Sequence, residues 1–424
     1  MKKLLLIGFP FPLRQGSSPR LLGQAKYLPE FGWQPIILSA PLNGKLDPKY
    51  LIVETGYRYA LSFWIKLFRL NPGRDLREQV IQRFGVTARK SLMGRLLTFA
   101  GEIINYPDSD KGWKSFAVKA GDEVIRRESI KAIISTSAPV TGHLIARELK
   151  KRYNIPWLAE LRDPWSQNHN YTYSRVRRWF DRKLELKTLS TADALITVTQ
   201  PWAEGLSALH KGKAAYTIYN GFDPDEVNVP PAKVTDKFTI TYTGLIYTGK
   251  QDPARLFAAL QELIAEKIMA PEDIDVRFYG TGVSWLPSEI EKYGLTDIVK
   301  CYGTVSHQIA LEKQRESQVL LLLDWDNRIE KGVIPLKLFE YLSAGRPILA
   351  TGGTEDNAVA GLLEETRAGI QAARVQDIKT ALGTLYREYK VNGKPTYHGD
   401  ESKINKYSHR EMARALSEIL DRLV

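Results

Sequence analysis

Cysteine and long apolar runs are both scarce in this chain. Its 424 residues include one cysteine, Cys301, so no disulfide can form within the chain, which agrees with a reducing compartment. No stretch approaches the roughly 20 consecutive apolar residues that a membrane-spanning helix needs. The apolar residues 4–7 are too few for a signal peptide and read as a first buried strand. We therefore expect a cytoplasmic protein or one bound peripherally to the inner face of the cell membrane.

Metal-ligand patterns are equally weak. The six histidines are too scattered along the chain for a zinc site. Two tripeptides, residues 108–110 and 324–326, have the Asp-x-Asp pattern that can hold a metal and a diphosphate, but such tripeptides are common by chance. We predict no metal and no resident cofactor. Internal repeats, low-complexity segments and nucleic-acid recognition motifs are also missing from the sequence, so no nucleic-acid partner is expected.

The length exceeds the usual size of one hydrophobic core, which predicts two domains. Short apolar runs alternate with amphipathic stretches in each half, the pattern of parallel sheets covered by helices on both faces. The predicted strands are 4–7, 35–39, 132–135, 157–161, 194–198, 238–243, 274–279, 299–302, 319–324 and 347–350. The predicted helices are 20–31, 114–128, 142–153, 174–190, 252–267, 286–293, 307–315 and 408–423.

A segment rich in turn residues, 217–224, and the polar stretch 227–237 separate the two halves. We predict an α/β protein with two tandem Rossmann-like, doubly wound domains that face each other across a deep cleft, over residues 1–222 and 223–407. The last helix, within residues 408–424, is expected to pack back on the first domain.

The net charge of +12 is concentrated in part in residues 57–97. That stretch has nine lysines and arginines against two acidic residues, and six aromatic residues lie among them. Cations mixed with large apolar side chains favour contact with an anionic membrane surface. The alternative is an ordinary basic helical face that packs through its aromatic residues.

Residues 331–350 carry the most informative pattern. A loop with glycine and proline leads into a short amphipathic helix that places Lys337 and Glu340 one turn apart, and Gly345 ends that helix. A helix N-terminus offers unpaired N–H groups and partial positive charge to a phosphate. A carboxylate on the same helix can accept hydrogen bonds from sugar hydroxyls. The segment therefore predicts a site for a sugar nucleotide.

A second candidate phosphate loop, residues 244–250, follows the first strand of the second domain. Gly244 and Gly249 would let the backbone approach a phosphate, and Lys250 could neutralise its charge. The alternative is an ordinary glycine-rich turn.

The first domain has three candidate acceptor-binding segments at the ends of its strands. Residues 8–20 form a hydroxyl-rich loop that includes Gly16 and Ser17, and residues 135–139 include Ser137, with His143 shortly after. A structural role for His143 is the alternative. Residues 157–165 end in Arg162, Asp163 and Trp165, where Asp163 could accept a proton from a hydroxyl or form a structural ion pair with Arg162.

Taken together, these motifs resemble the retaining glycosyltransferases of the GT-B fold, in the large bacterial "group 1" family, family 4. The resemblance includes Tyr219-Asn-Gly-Phe-Asp223, the loop 244–250, Tyr279-Gly-Thr-Gly282, Tyr302-Gly-Thr-Val305 and the block 335–347. Ser137-Ala-Pro139 with His143, followed by Glu160-Leu-Arg-Asp-Pro-Trp165, looks like a subgroup found in surface-polysaccharide gene clusters.

The resemblance implies residue roles. Glu340 matches the second glutamate of the family's Glu-x7-Glu pair, which binds the ribose, and Lys250 matches the lysine that contacts the diphosphate. Val305 lies where the backbone meets the base, and Gly332 and Val333 where loop amides meet the donor. Arg162 and Asp163 occupy the acceptor-side catalytic position, and Lys337 adds charge to the donor side.

The sequence departs from the family at two positions. The first glutamate of the pair would fall at Gly332, and Glu330 lies two residues earlier. The arginine that usually follows the first glycine of the phosphate loop is replaced by Leu245.

The resemblance implies transfer of a sugar from a UDP- or GDP-linked donor to a glycan or polyprenyl-linked acceptor, in polysaccharide or cell-envelope biosynthesis. The nucleotide sugar would be a substrate rather than a cofactor. Two alternatives stay open at the level of sequence. One is a non-hydrolysing sugar-nucleotide epimerase of the same architecture, and the other is a noncatalytic glycan- or lipid-binding protein that kept the fold.

Overall fold

The computed structural model describes residues 1–9, 19–42, 47–58, 101–168, 170–171, 173–227, 232–280, 282–325 and 331–424. The chain divides into two compact units. Unit 1 comprises Met1–Ile218 and Ala413–Val424, and unit 2 comprises Tyr219–Met412. The first boundary therefore lies within the turn-rich segment 217–224, four residues before the predicted one, and the second lies inside the last helix.

Unit 1 contains a sheet of seven parallel strands. Its strands are β1 (Lys2–Ile7), β2 (Trp33–Ser39), β3 (Leu51–Glu54), β4 (Ile130–Ser137), β5 (Trp157–Leu161), β6 (Ala194–Thr197) and β7 (Ala215–Thr217). They lie in the order β3-β2-β1-β4-β5-β6-β7. The helices between them are α1 (Pro19–Tyr27), α2 (Lys114–Arg127), α3 (Thr141–Tyr153), α4 (Arg175–Leu189) and α5 (Gln200–Leu209).

The central strands of unit 1 are apolar because both faces of the sheet are covered. Leu4, Leu5, Leu6 and Ile7 of β1 are all fully buried. A strand buried on both faces has no solvent side, so it shows a continuous apolar run rather than alternation. This run is what the sequence pattern detects.

Unit 2 contains a sheet of six parallel strands. Its strands are β8 (Phe238–Thr243), β9 (Ile274–Tyr279), β10 (Val299–Gly303), β11 (Val319–Leu323), β12 (Ile348–Thr351) and β13 (Gly369–Ala372). They lie in the order β10-β9-β8-β11-β12-β13. The helices are α6 (Pro224–Val227), α7 (Ala254–Ala265), α8 (Leu286–Lys292), α9 (His307–Glu316), α10 (Leu336–Ala344), α11 (Ala358–Thr366), α12 (Val375–Asn392), α13 (Glu401–Ile404) and α14 (His409–Leu423).

Both sheets reverse their strand order at one central strand. In unit 1, β1 lies between β2 and β4, and in unit 2, β8 lies between β9 and β11. Open α/β sheets bind ligands outside the carboxyl ends of the strands at such a reversal. This architecture confirms the predicted α/β class with two Rossmann-like units, and it directs attention to the loops after β8 and β11.

The last helix divides between the two units. Residues from Ala413 onward belong to unit 1, the domain on which the sequence predicts this helix to pack. Within unit 1 the Asp421 carboxylate accepts a hydrogen bond from the Trp33 indole at 3.0 Å.

None of the helices in the described part of the chain combines the length and apolar character needed to span a bilayer.

Candidate functional site

The carboxyl ends of β8, β9 and β10 are joined by their backbones. The Gly244 amide donates to the Tyr279 carbonyl at 2.7 Å, and the Gly280 amide donates to the Gly303 carbonyl at 2.8 Å. A Cβ atom at Gly280 would lie 2.0 Å from the Gly244 carbonyl oxygen, and the φ of Gly280 is 151°. Glycine is therefore required at position 280, because it lets the loop after β9 approach the backbone of the loop after β8.

Helix α10 begins beside these loops. Pro335 precedes its first turn with an extended backbone, and Gly345 ends it in the left-handed conformation at φ 64°. Leu338, Phe339 and Leu342 anchor the helix in the core. Lys337 and Glu340 are three residues apart, so they lie on one side of the helix, as the sequence predicts.

The side-chain amine of Lys337 contacts only neutral groups among the described residues. Its Nζ lies 2.5 Å from the Tyr242 hydroxyl, 3.4 Å from the Leu245 carbonyl oxygen and 3.8 Å from the centre of the Tyr242 ring. Burial lowers the pKa of Lys337 from 10.5 to about 7, although the Glu340 carboxylate opposes that shift. No carboxylate of the described residues lies within ion-pair distance of this amine. A bound anion would therefore supply the missing counterion and favour the protonated amine.

Glu340 is held at the edge of the same site. Its carboxylate accepts a hydrogen bond from the Gln314 amide at 3.2 Å and lies 3.9 Å from Nδ1 of His307. Gln314 is fully buried and also donates to the Thr243 hydroxyl at 3.0 Å, which ties the carboxylate to the end of β8. About a quarter of the Glu340 side chain stays exposed, at 27%. The carboxylate is thus oriented by the protein yet open to a ligand.

Lys250 lies on an exposed loop that contacts the end of the neighbouring strand β11. Its amine lies 4.3 Å from the centre of the Trp325 ring, just after β11. Gln251 is buried, accepts a hydrogen bond from the Tyr247 amide at 3.0 Å and donates to the Leu323 carbonyl at 2.7 Å. The loop after β8 is therefore bound to the end of β11 at the reversal of strand order.

The remaining donor-side predictions fall on neighbouring loops. Val305 is half-buried in the connection between β10 and α9, and Gly332 and Val333 precede α10. Glu330, which could have replaced the glutamate missing at position 332, lies outside the described residues. The sequence did not single out Tyr242, Gln314 or Trp325, because their roles depend on contacts between distant segments.

In each of the two Asp-x-Asp tripeptides, the first carboxylate accepts hydrogen bonds from other residues of the protein. Asp324 accepts hydrogen bonds from the Asn357 amide at 2.7 Å and from the Trp325 backbone at 2.8 Å. Asp108 accepts two hydrogen bonds of 2.7 Å from the backbone and hydroxyl of Thr141, the first residue of α3. Asp326 lies outside the described residues. Within the described ranges no three His, Cys, Asp or Glu side chains form a group that could hold a metal ion.

In unit 1, the end of β5 is more tightly bound than its sequence suggests. Glu160 is fully buried and accepts hydrogen bonds of 2.8 Å from both Arg20 and Gln24. Arg162 donates to the carbonyl oxygens of Ser137 and Ala138, at 2.8 and 3.0 Å. Arg162 therefore holds the loop after β4.

Asp163 is the exposed charged residue of this segment. Among the described side chains it forms no ion pair with Arg162, whose donors go to the carbonyls instead. The Asp163 carboxylate thus stays available to a ligand, whereas Arg162 is occupied.

His143 requires a correction. The sequence predicts it as an acceptor-binding residue, but its side chain has no exposed surface. Nδ1 of His143 lies 2.8 Å from the Ser135 hydroxyl, which also accepts a hydrogen bond from the Trp157 indole at 2.8 Å. Burial lowers the pKa of His143 to about 3, so the ring is neutral. It is a structural residue, the alternative that the sequence left open.

The three other predicted acceptor-side residues gain no support from the described part of the chain. Ser137 is 2% exposed, and its carbonyl accepts the hydrogen bond from Arg162. Gly16 and Ser17 lie outside the described residues, as does nearly all of the basic stretch 57–97.

Comparison with known proteins gives a family match over part of the chain. Residues 99–226 match the family model Glycosyltransferase Family 4. No curated protein sequence matches the chain.

Solved structures resemble the whole chain at low sequence identity. S. aureus TarM, in complex with Fondaparinux, alpha-GlcNAc-glycerol and UDP, has a TM-score of 0.61 at 9% identity, over 99% of this chain and 100% of that one. An E. coli trehalose-6-phosphate structure bound with UDP-2-fluoro glucose has a TM-score of 0.60 at 12% identity, over 100% of both chains. The lipopolysaccharide outer core galactosyltransferase WaaB has a TM-score of 0.56 at 13% identity, over 99% and 100%. The fold is the GT-B fold of these glycosyltransferases.

Proposed function

We propose that this protein is a glycosyltransferase that moves a sugar from a UDP- or GDP-linked donor to a glycan or polyprenyl-linked acceptor, with retention of anomeric configuration and without a metal. The observation that carries the proposal is the pair on α10. Lys337 offers an amine with no described carboxylate partner, and Glu340 offers an oriented, partly exposed carboxylate, at the strand reversal of unit 2. The family match and the UDP ligands of two similar structures support the same assignment.

The donor half of the reaction is assigned to unit 2. When the bond between the sugar and the phosphate breaks, negative charge grows on the departing nucleoside diphosphate, and stabilising that charge is the main electrostatic task. Lys337 and Lys250 supply positive charge, and the backbone amides of Gly332 and Val333 supply hydrogen bonds. The Glu340 carboxylate accepts hydrogen bonds from the ribose hydroxyls.

The acceptor half is assigned to unit 1. The Asp163 carboxylate receives a hydrogen bond from the acceptor hydroxyl, and Arg162 positions the loop after β4. The acceptor oxygen forms the new bond to the sugar on the face from which the diphosphate leaves. Its proton passes to the phosphate oxygen that is released, so the configuration is retained. No metal is needed where lysines and amides offset the phosphate charge.

One similar protein supports the proposed biological setting. WaaB is described as a lipopolysaccharide outer core galactosyltransferase. We infer a role in polysaccharide or cell-envelope biosynthesis at the cytoplasmic side of the membrane, where polyprenyl-linked acceptors are found.

A thermal-shift screen across UDP-, GDP- and other nucleotide sugars tests the proposal. A ligand that binds only the native state raises the melting temperature, by an amount that corresponds to about 2.7 kcal/mol at 100 times Kd. We expect one nucleotide class to stabilise the protein, and the stabilising sugar nucleotide to release its nucleoside diphosphate when an acceptor is present. No stabilisation by any nucleotide, or an epimerised sugar without acceptor, would contradict it.

A further inference from the structure

Helix α4 of unit 1 exposes a row of large apolar side chains. Val176, Trp179, Phe180 and Leu186 are 56, 52, 50 and 37% exposed. With 100° per residue these four positions fall within one 120° sector of the helix, so they form a single outward stripe. Four such side chains on one solvent face are unusual for a surface helix, whose apolar stripe normally faces the core.

The same outward face carries only positive charge. The exposed charged residues on and beside the stripe are Arg175, Arg182, Lys183 and Lys187. The two acidic residues of the helix point inward: Asp181 is 2% exposed and pairs with Arg177 at 2.9 Å, and Glu185 is fully buried and accepts from the Ser166 amide at 3.0 Å. Both acidic side chains of the helix are therefore turned away from the outward face, which carries only cations.

Buried contacts hold this helix in place. Arg177 donates to the carbonyl oxygens of Pro107 at 2.6 Å and Asn105 at 3.3 Å. The Ser174 hydroxyl caps the helix start by accepting from the Arg177 amide at 3.2 Å. The outward face is thus presented by a fixed helix, which lowers the entropic cost of binding a surface.

The aromatic rings and the cations form one continuous surface. The rings of Trp179 and Phe180 meet edge to face, with centroids 4.8 Å apart, and the amine of Lys183 lies 3.6 Å from the Trp179 ring centre. Rings that can enter the lipid headgroup region lie directly beside amines that can contact lipid phosphates.

We propose that the outward face of α4 docks on a membrane surface rich in anionic lipids, with Trp179 and Phe180 in the headgroup region and the arginines and lysines on the phosphates. This places membrane contact on a helix outside the basic stretch 57–97.

The apolar stripe decides between two polyanionic partners. Nucleic acid would use the cations and could stack bases on Trp179, but it gives no energetic reason to expose Val176 and Leu186 at the two ends of the stripe. A lipid interface buries all four apolar side chains and pairs the four cations beside them. The membrane is therefore the partner that uses the whole face.

The test is co-sedimentation of the full chain with vesicles of equal parts phosphatidylglycerol and phosphatidylcholine, compared with vesicles of phosphatidylcholine alone. We expect binding to the anionic vesicles only. The double variant Arg182→Glu with Lys187→Glu should bind at least about 30-fold more weakly, because each basic residue near an anionic surface contributes about 1 kcal/mol and the new carboxylates are repelled. The matched control, Lys119→Glu with Lys151→Glu, changes the net charge equally on other exposed helical positions and should bind nearly as well as the unmodified protein.

The apolar part of the proposal needs its own variants. Trp179→Ala with Phe180→Ala should lower binding at least tenfold, whereas Trp179→Phe should bind normally but lose part of the fluorescence quenching by vesicles with brominated acyl chains. Equal loss in the lysine control, unchanged binding of the alanine variant, or an effect confined to retention on an oligonucleotide would overturn the proposal. Because all these side chains are exposed, unchanged thermal unfolding should show that each variant folds.

Discussion

The carboxyl edges of the two sheets use their charged residues differently. At the edge of unit 1, Glu160 is fully buried and receives two hydrogen bonds, and Arg162 donates to two carbonyl oxygens. At the edge of unit 2, Lys337 contacts a hydroxyl, a carbonyl and a ring, with no described carboxylate in ion-pair distance. The buried charges at the first edge have partners, whereas among the described residues Lys337 at the second edge has no counterion.

This difference separates scaffolding from binding. A buried charge with its partners in place is costly to disturb, because removal of one partner leaves the other unpaired away from water. A partly buried charge without a counterion instead has its pKa shifted, and such groups cluster at functional sites. We therefore expect substitutions of the buried charges at the first edge to change stability and substitutions of Lys337 to change ligand binding.

The largest effect is expected from Arg20→Met. It leaves the Glu160 carboxylate buried without its cation, so the free energy of unfolding should fall by about 3–5 kcal/mol, as measured by urea denaturation followed by circular dichroism. Arg152→Met is the matched control, because Arg152 is half-exposed and pairs with Glu148 at 3.1 Å on the surface. Exposed pairs contribute about 0–1 kcal/mol. Equal losses in both variants would remove the distinction between matched and surface charges.

Replacing the lysine at the edge of unit 2 by methionine should lower ligand affinity rather than stability. Lys337→Met removes a cation that is costly to bury, so the free energy of unfolding without ligand should not fall. Affinity for the nucleoside diphosphate should drop about tenfold to 100-fold, because a charged hydrogen bond contributes about 1.5–3 kcal/mol. Calorimetry with UDP and GDP measures this, with Lys394→Met, an exposed lysine after α12, as control. A destabilised variant with normal affinity would make Lys337 a scaffold residue.

The pKa of Lys337 gives this edge a pH dependence. Its folded-state pKa is about 7 against an ordinary 10.5. Between these values the unfolded chain binds more protons than the native protein, so the contribution of this lysine to stability rises with pH. A diphosphate binds the protonated amine, so nucleotide affinity should fall as pH rises above 7, by up to about tenfold per pH unit. Calorimetry across this range should find the slope much reduced in Lys337→Met, and an equal slope would assign it to another group.

The sequence predicts buried elements better than edge elements. Strands β5, β8 and β9 have the predicted bounds, because their apolar runs are covered on both faces. Strands β3, β7 and β13 were not predicted. Each lies at the edge of a sheet, pairs on one side only and is largely half-exposed, so it lacks a continuous apolar run.

Only the features of the site that lie within one short segment could be predicted from the sequence. The spacing of Lys337 and Glu340 on one helix follows from the sequence, since both lie within one turn. The partners that set their chemistry do not: Tyr242 is 95 residues from Lys337, and Gln314 is 26 residues from Glu340. His143 was misread for the same reason, because its burial depends on Trp157 and Ser135 from neighbouring strands.

The central claim is that α10 binds the nucleotide of the donor, and calorimetry of Glu340→Ala tests it most directly. We expect the affinity for the nucleotide selected by the thermal-shift screen to fall about tenfold to 100-fold, because the ribose hydroxyls lose a charged acceptor. Glu364→Ala removes an exposed carboxylate from α11 of the same unit and should bind normally. Normal nucleotide affinity in Glu340→Ala would contradict the account.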